Sequence, residues 1–183
     1  ESSAASDVYK RQIVFNACKR YLLYNGYNEA RGETEMSNVK HLDINYKTDE
    51  LFADFRETSN PNLALIDEFA GEMIDASSES PFYGIFVGEK IAARMALYEN
   101  GQVEEHYFPE YDNYLVLWKL EVLPSFQSRG LGTELVDFAK EKHLPIKAIA
   151  RNKSKDFFIR HGFKDTEAKN PEGYDVLIWA PGH

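Results

Sequence analysis

The sequence predicts an α/β domain built on a mixed sheet, and three observations carry that expectation. Pro81 to Val87 and Lys90 to Tyr98 are strand-like runs joined at Gly88-Glu89, which reads as a hairpin. Tyr114 to Leu123 is the longest strand-like run, and a glycine-bearing connector leads from it to Leu135, Val136, Phe138 and Ala139 at helical spacing. Beyond that helix, the short apolar runs Ile146–Ala150 and Tyr174–Trp179 flank a further helical segment.

The elements follow in order. Val39 to Tyr46 (VKHLDINY) alternates, with Leu42, Ile44 and Tyr46 on one side, and predicts a half-buried strand. Thr48 offers an N-cap for a helix whose Leu51, Phe52 and Phe55 share a face. Pro61 suits the first turn of a second helix, with Leu63, Ile66, Phe69, Ala70, Met73 and Ile74 on its apolar side. After the hairpin, Asn100-Gly101 marks a turn, and the stretch to Asn113 is rich in acid and tyrosine. A short helix centred on Asp156–Arg160 is closed by Gly162, a residue suited to a helix C-terminus. The predicted order is β-α-α-β-β-β-α-β-α-β.

Composition narrows the function classes. A net charge of −9 argues against a general nucleic-acid binder, which carries a basic stripe. No apolar run approaches the ~20 residues of a membrane-spanning helix, so no membrane partner is expected. No stretch shows the pattern of a secretory signal, and Cys18 is the single cysteine, so a reducing cytoplasm is the expected compartment. No cluster of His, Cys, Asp and Glu has metal-ligand spacing, and no metal is expected.

Residues 1–35 read as a non-native prefix. Asp7 to Gln12 (DVYKRQ) resembles a translated sequencing-adapter end, GAT GTG TAT AAG AGA CAG. Arg31-Gly32-Glu33 is encodable as a purine run like a bacterial ribosome-binding site, at start-codon distance from Met36. The expected acting domain is therefore 36–183, and such a prefix is set aside from fold reasoning. The prefix carries balanced charge, so the −9 belongs to the domain. The competing reading is a native N-terminal helix, with Val14, Cys18, Tyr21 and Leu22 roughly on one face.

The chemistry concentrates in Leu120 to Gly132, LEVLPSFQSRGLG. A strand ends at a proline, and two glycines then stand at the mouth of a helix. A helix N-terminus presents N–H groups without acceptors and a partial positive charge, and glycine lets a ligand approach the backbone. Such a junction suits phosphate oxygens, and Arg129 adds charge. The stretch lacks the Lys-Ser/Thr of a P-loop, and Leu135 stands where GxGxxG has its third glycine. A plain strand-to-helix turn is the bland alternative.

Gln127-Ser128-Arg129-Gly130-Leu131-Gly132 resembles the Q/R-x-x-G-x-G/A motif of the GCN5-related N-acetyltransferase superfamily. Ala150 to Phe163 (ARNKSKDFFIRHGF) is similar to that family's second signature of strand, asparagine, helix and Gly-Phe. The resemblance extends over residues 38–180 and implies a mixed, centrally splayed β-sheet flanked by helices. It implies acetyl-CoA as co-substrate. Gln127 opens the motif, and the backbone of Ser128, Arg129, Gly130, Leu131, Gly132 and Thr133 would hold the pyrophosphate. Leu120, Glu121 and Val122 would pair with the pantetheine amides where two parallel strands splay, and Asn152 would contact the pantetheine arm.

Amine attack on a thioester needs a neutral amine and a proton for the departing thiolate. Many members of that family place a tyrosine four residues before the Gly-Phe; here that residue is Phe158. Tyr111, Tyr114 and Tyr174 are the candidate substitutes, beside water. Glu121 is the candidate base; the alternative is a strand glutamate facing Lys119 or Arg94. His143 and His161 read as helix-end histidines, and Glu104, Glu105, Glu110 and Asp112 as a solvated connector that would otherwise attract a cationic amine. The favoured activity is acetylation of a primary amine on a small molecule or amino acid, by a monomer or homodimer. Acetylation of a protein N-terminus or lysine, and a non-catalytic acyl-CoA sensor motivated by Phe158, are the alternatives.

Overall fold

The computed structural model describes residues 38–53, 55, 80–103, 108–151 and 153–182. The predicted prefix, the helix after Pro61, Glu104, Glu105 and Asn152 lie outside the described residues.

The first strand, β1 (Val39–His41), is shorter than its alternation predicts, and α1 (Tyr46–Leu51) already begins at Tyr46. Asn45, not Thr48, is the N-cap: its extended backbone aims Oδ1 to accept from Thr48 N–H at 3.0 Å. Asparagine ranks above threonine at this position, and Thr48 is instead a buried residue inside the helix. Beyond the strand, Leu42 still bonds across, its N–H donating to Phe82 O at 2.9 Å, and its side chain enters the core.

The hairpin forms as predicted: β2 (Phe82–Val87) and β3 (Lys90–Glu99) are antiparallel, turning through Gly88 at φ 64. Then come β4 (Leu115–Val122), α2 (Leu131–Lys140), β5 (Ile146–Ala150) and α3 (Lys155–Arg160). Gly162 adopts φ 77, which suits the end of α3. Two strands close the chain, β6 (Lys164–Lys169) and β7 (Asp175–Trp179). β6 is absent from the predicted order. Its sequence KDTEAK has no apolar alternation because it is the outer strand, bonded to β7 alone and largely exposed. Lys155 ties α3 to this edge, bridging Asp165 and Asp175.

The sheet has seven strands in the order β1-β2-β3-β4-β5-β7-β6. β4 and β5 are parallel and the remaining neighbours antiparallel, so the sheet is mixed as predicted. Two apolar clusters cover its faces. Met95, Leu117, Leu135, Val136, Ala139, Ile146, Phe158 and Leu177 pack on the α2 side. Phe52, Phe55, Phe82, Ile91, Phe108, Tyr114, Val116 and Val176 fill the opposite side. Each fully buried side chain of this size stabilises by about 1.5–3 kcal/mol.

One irregularity sets up the site. Opposite β3, Leu97 faces Leu117 but Ala96 faces Lys119, so Trp118 is the extra residue of a β-bulge. The bulge reverses the alternation. Leu115 and Leu117 pack toward α2 from odd positions, whereas Leu120 and Val122 do so from even ones. Trp118 and Leu123 fall on the other face.

Candidate active site

β4 and β5 are joined only at Leu115–Leu117 with Ile146–Ala148. β4 runs on to Val122 and β5 to Ala150, and beyond Ala148 the two strands part. The split opens at the C-terminal ends of two parallel strands. Side chains reach into it from both ends. Arg151 Nη1 donates to Trp118 O at 3.2 Å, and Gln127 Nε2 donates to Val122 O at 3.2 Å.

At the mouth of the split lies the glycine connector. A 3₁₀ turn at Pro124–Phe126 is followed by two left-handed residues, Ser128 at φ 60 and Gly130 at φ 85. Gly130 is the N-cap of α2, and no side chain caps that end. The N–H groups of Leu131, Gly132 and Thr133 therefore point out of the helix start without an intrahelical acceptor. Arg129 lies beside them, its guanidinium carbon 5.1 Å from the Phe126 ring centre.

The two glycines serve different ends. A Cβ on Gly130 would meet no atom of the described residues within 4 Å; what disfavours other residues is its positive φ. A Cβ on Gly132 would meet Phe157 at 3.4 Å and Val122 at 3.7 Å. The start of α2 at Gly132 thus lies against α3 and the end of β4, with room for a Cβ in ordinary van der Waals contact and none for a larger side chain. The Phe157 ring in turn is tilted 58° against His161 with centres 4.6 Å apart, and His161 Nε2 lies 3.3 Å from Thr133 Oγ1. Burial, then Lys140, hold the His161 imidazole below the usual histidine range. His161 is the C-cap of α3, where it was placed from sequence. His143 lies past the C-cap of α2, its N–H donating to Lys140 O at 2.9 Å.

On the face away from α2, Glu121 and Arg94 stand opposite each other on β4 and β3. Glu121 Oε2 accepts from Arg94 Nε at 3.2 Å and from Nη2 at 3.0 Å. Both side chains are almost fully buried, at 5% and 2% exposure. The guanidinium lies over the Phe52 and Phe55 rings, 4.3 and 3.9 Å from their centres. The carboxylate is committed to a buried cation, so the reading of Glu121 as a base gives way to the alternative of a strand glutamate facing Arg94.

The profile of the Acetyltransferase (GNAT) family matches residues 45–163. The chain belongs to the GNAT family. An uncharacterized N-acetyltransferase of Staphylococcus epidermidis is 66% identical over 146 residues, covering 80% of this chain and 100% of that protein. An uncharacterized N-acetyltransferase of Staphylococcus saprophyticus has the same identity and coverage. Among solved structures, the N-acetyltransferase YlbP of Bacillus subtilis in complex with coenzyme A is 43% identical, with a TM-score of 0.60. That match covers 78% of this chain and 95% of YlbP. This GNAT protein is accordingly an acyltransferase.

The residues singled out from sequence lie in different parts of this GNAT fold. The motif Gln127–Thr133 and the segment Leu120–Val122 meet at the split. Phe158 is buried between Phe157 and Phe163, at 5.3 and 5.2 Å, and is core rather than acid. Tyr114 is fully buried before the start of β4, seven positions from Glu121, or roughly 23 Å along a strand. Tyr111 packs on Phe108 in the connector before β4. Both belong to the end of β4 opposite the split, which removes them as acids. The connector carrying Glu110 and Asp112 also enters β4 at that end, away from the split. Tyr174 is different: it precedes Asp175, the partner of Ala150 where β5 ends, and its ring centre is 5.7 Å from the Arg151 guanidinium carbon.

Sequence reasoning missed Trp118 and Arg151. The available signal was a charged residue directly after the apolar strand IKAIA. Among the described residues, no group of three or more His, Cys, Asp or Glu could hold a metal ion, and no helix is long and apolar enough to cross a membrane.

Proposed function

We propose that this GNAT protein transfers the acetyl group of acetyl-CoA to the primary amine of a small molecule or amino acid. The observation that carries the reading is the meeting of the uncapped, glycine-led start of α2 with the split between β4 and β5. The donor fits this arrangement. Gly130 leaves open space where its Cβ would be, so a pyrophosphate can lie against the N–H groups from Ser128 to Thr133. The pantetheine arm then follows Leu120, Glu121 and Val122, with Gln127 at the turn, and Asn152 is the residue we assign to contact it. YlbP, in complex with coenzyme A, supports the donor class.

The amine nitrogen attacks the thioester carbonyl carbon. A C–N bond forms, the C–S bond breaks, and the electron pair leaves on sulfur. The nitrogen gives its proton to solvent, and the thiolate takes one. We assign the second proton to Tyr174, the tyrosine at the open end of the split. Thiolates leave readily, so Tyr174→Phe is expected to lower kcat only about 10-fold, near the low end for general acid catalysis. Acetyl-CoA affinity should stay unchanged. Thiol release across a panel of primary amines measures both the activity and this loss. Unchanged kcat in Tyr174→Phe would return the proton to water, and no thiol release with any amine would overturn the activity.

The acting domain, in this reading, is residues 36–183. The unit that holds the sheet begins at Asn38, and the Staphylococcus relatives are matched over their whole length by 146 residues. A chain beginning at Met36 should unfold at the same temperature and bind coenzyme A as tightly as the full chain. Loss of cooperative unfolding would make residues 1–35 part of the fold.

A further inference from the structure

We infer that Arg151 selects acceptors carrying a carboxylate near the reacting amine, so that the substrate is of amino-acid type. The inference rests on the donor placement proposed above and names the acceptor class for that site.

Arg151 follows the last residue of β5 and is 7% exposed. Its Nη1 donates to Trp118 O, so the guanidinium spans the split at the bulge of β4. Trp118 lies on the sheet face away from α2, together with Ile149 and Val176 from β5 and β7. The donor's phosphates would lie at the start of α2. The acceptor would then arrive from the other face, where Trp118, Arg151 and Tyr174 stand together.

The chemistry of this cluster points to an anion. The guanidinium carbon is 5.7 Å from the centres of both the Trp118 and Tyr174 rings, which hold it and exclude water. A guanidinium carries five N–H donors, and the Trp118 carbonyl takes one. The carboxylate that approaches it is Glu172 Oε2, 3.6 Å from Nη2, too long for a hydrogen bond. Glu172 is 62% exposed and lies on the turn Asn170–Gly173, whose N–H of Gly173 donates to Asn170 O at 2.9 Å. The one carboxylate paired with this buried cation among the described residues is an exposed one that makes no hydrogen bond to it, which compensates it weakly. A carboxylate from the acceptor can dock on it bidentately, displacing Glu172. An acceptor without a carboxylate would bring an ammonium toward this cation and gain nothing from it.

Matched probes test this on the full chain loaded with coenzyme A: L-phenylalanine against phenethylamine, L-leucine against isoamylamine, and L-lysine against cadaverine. Calorimetry reads binding, and thiol release with acetyl-CoA reads turnover. At least one carboxylate-bearing probe should bind about 10-fold or more tightly than its partner, the scale of a charge-assisted bidentate contact. Arg151→Lys should erase most of that preference. Glu172→Gln, at an exposed side chain, should tighten the carboxylate probe several-fold by removing a competitor. Equal binding within every pair, no binding by any probe, or weaker binding of the carboxylate probe in Glu172→Gln would overturn the assignment. Carboxylate-dependent binding without thiol release would instead overturn the proposed acetyl transfer and leave the anchor standing.

Discussion

Gly130→Val is expected to lower acetyl-CoA affinity by about 100-fold at a cost of only about 1–2 kcal/mol in stability. The residue adopts φ 85, which a β-branched side chain resists, so the loop must turn its backbone to relieve the strain. Turning it re-aims the N–H groups at the start of α2. Losing two hydrogen bonds to a charged pyrophosphate accounts for a factor of this size. The stability cost is confined to this backbone strain, about 1–2 kcal/mol, because no atom of the described residues lies within 4 Å of the new Cβ. Gly132→Val separates the two glycines. Its side chain would press on Phe157 and Val122, so its main effect should be a loss of about 1–3 kcal/mol from overpacking. Calorimetry and thermal melts on both variants check the contrast. Wild-type affinity in Gly130→Val would remove the connector from the donor site.

Glu121→Gln is expected to destabilise the fold by about 3 kcal/mol, because it removes the carboxylate that pairs with Arg94, whose guanidinium is buried over Phe52 and Phe55. Removing both members is expected to cost far less: Arg94→Met with Glu121→Leu replaces the pair by apolar groups of similar length. Urea denaturation of the two single variants and the double variant measures the coupling. Additive losses would mean that the pair contributes nothing as a pair. Turnover of the folded Glu121→Gln fraction, compared with wild type across neutral pH, checks the site reading. A fall of 100-fold or more at unchanged donor affinity would restore Glu121 as a base.

How far the sequence disclosed this arrangement depended on where each signal lay. β3 to β5 were legible because a strand buried on both faces reads as an apolar run, and KIAARMALYE and IKAIA do so. The start of α2 was legible because Gly130 answers a local demand, the positive φ at the N-cap. β6 was hidden because an exposed edge strand needs no apolar face. The bulge at Trp118 was hidden for another reason. Register belongs to a pair of strands, and LVLWKLEV alone does not show where β3 skips a residue. The Arg151–Trp118 contact depends on that bulge and on a separation of 33 residues, so no local pattern announces it. The Glu121–Arg94 pair was one of the options weighed from sequence, and only the register decided it.

The central claim is that the start of α2 and the split strand together hold acetyl-CoA. Backbone amide chemical shifts during titration of the ¹⁵N-labelled chain with coenzyme A test it most directly. The account predicts that the largest shifts fall on Ser128 to Thr133 and on Leu120 to Val122, with Arg151 and Asn152 moving as the arm enters the split. Shifts confined to other strands, or none at saturating coenzyme A, would contradict it.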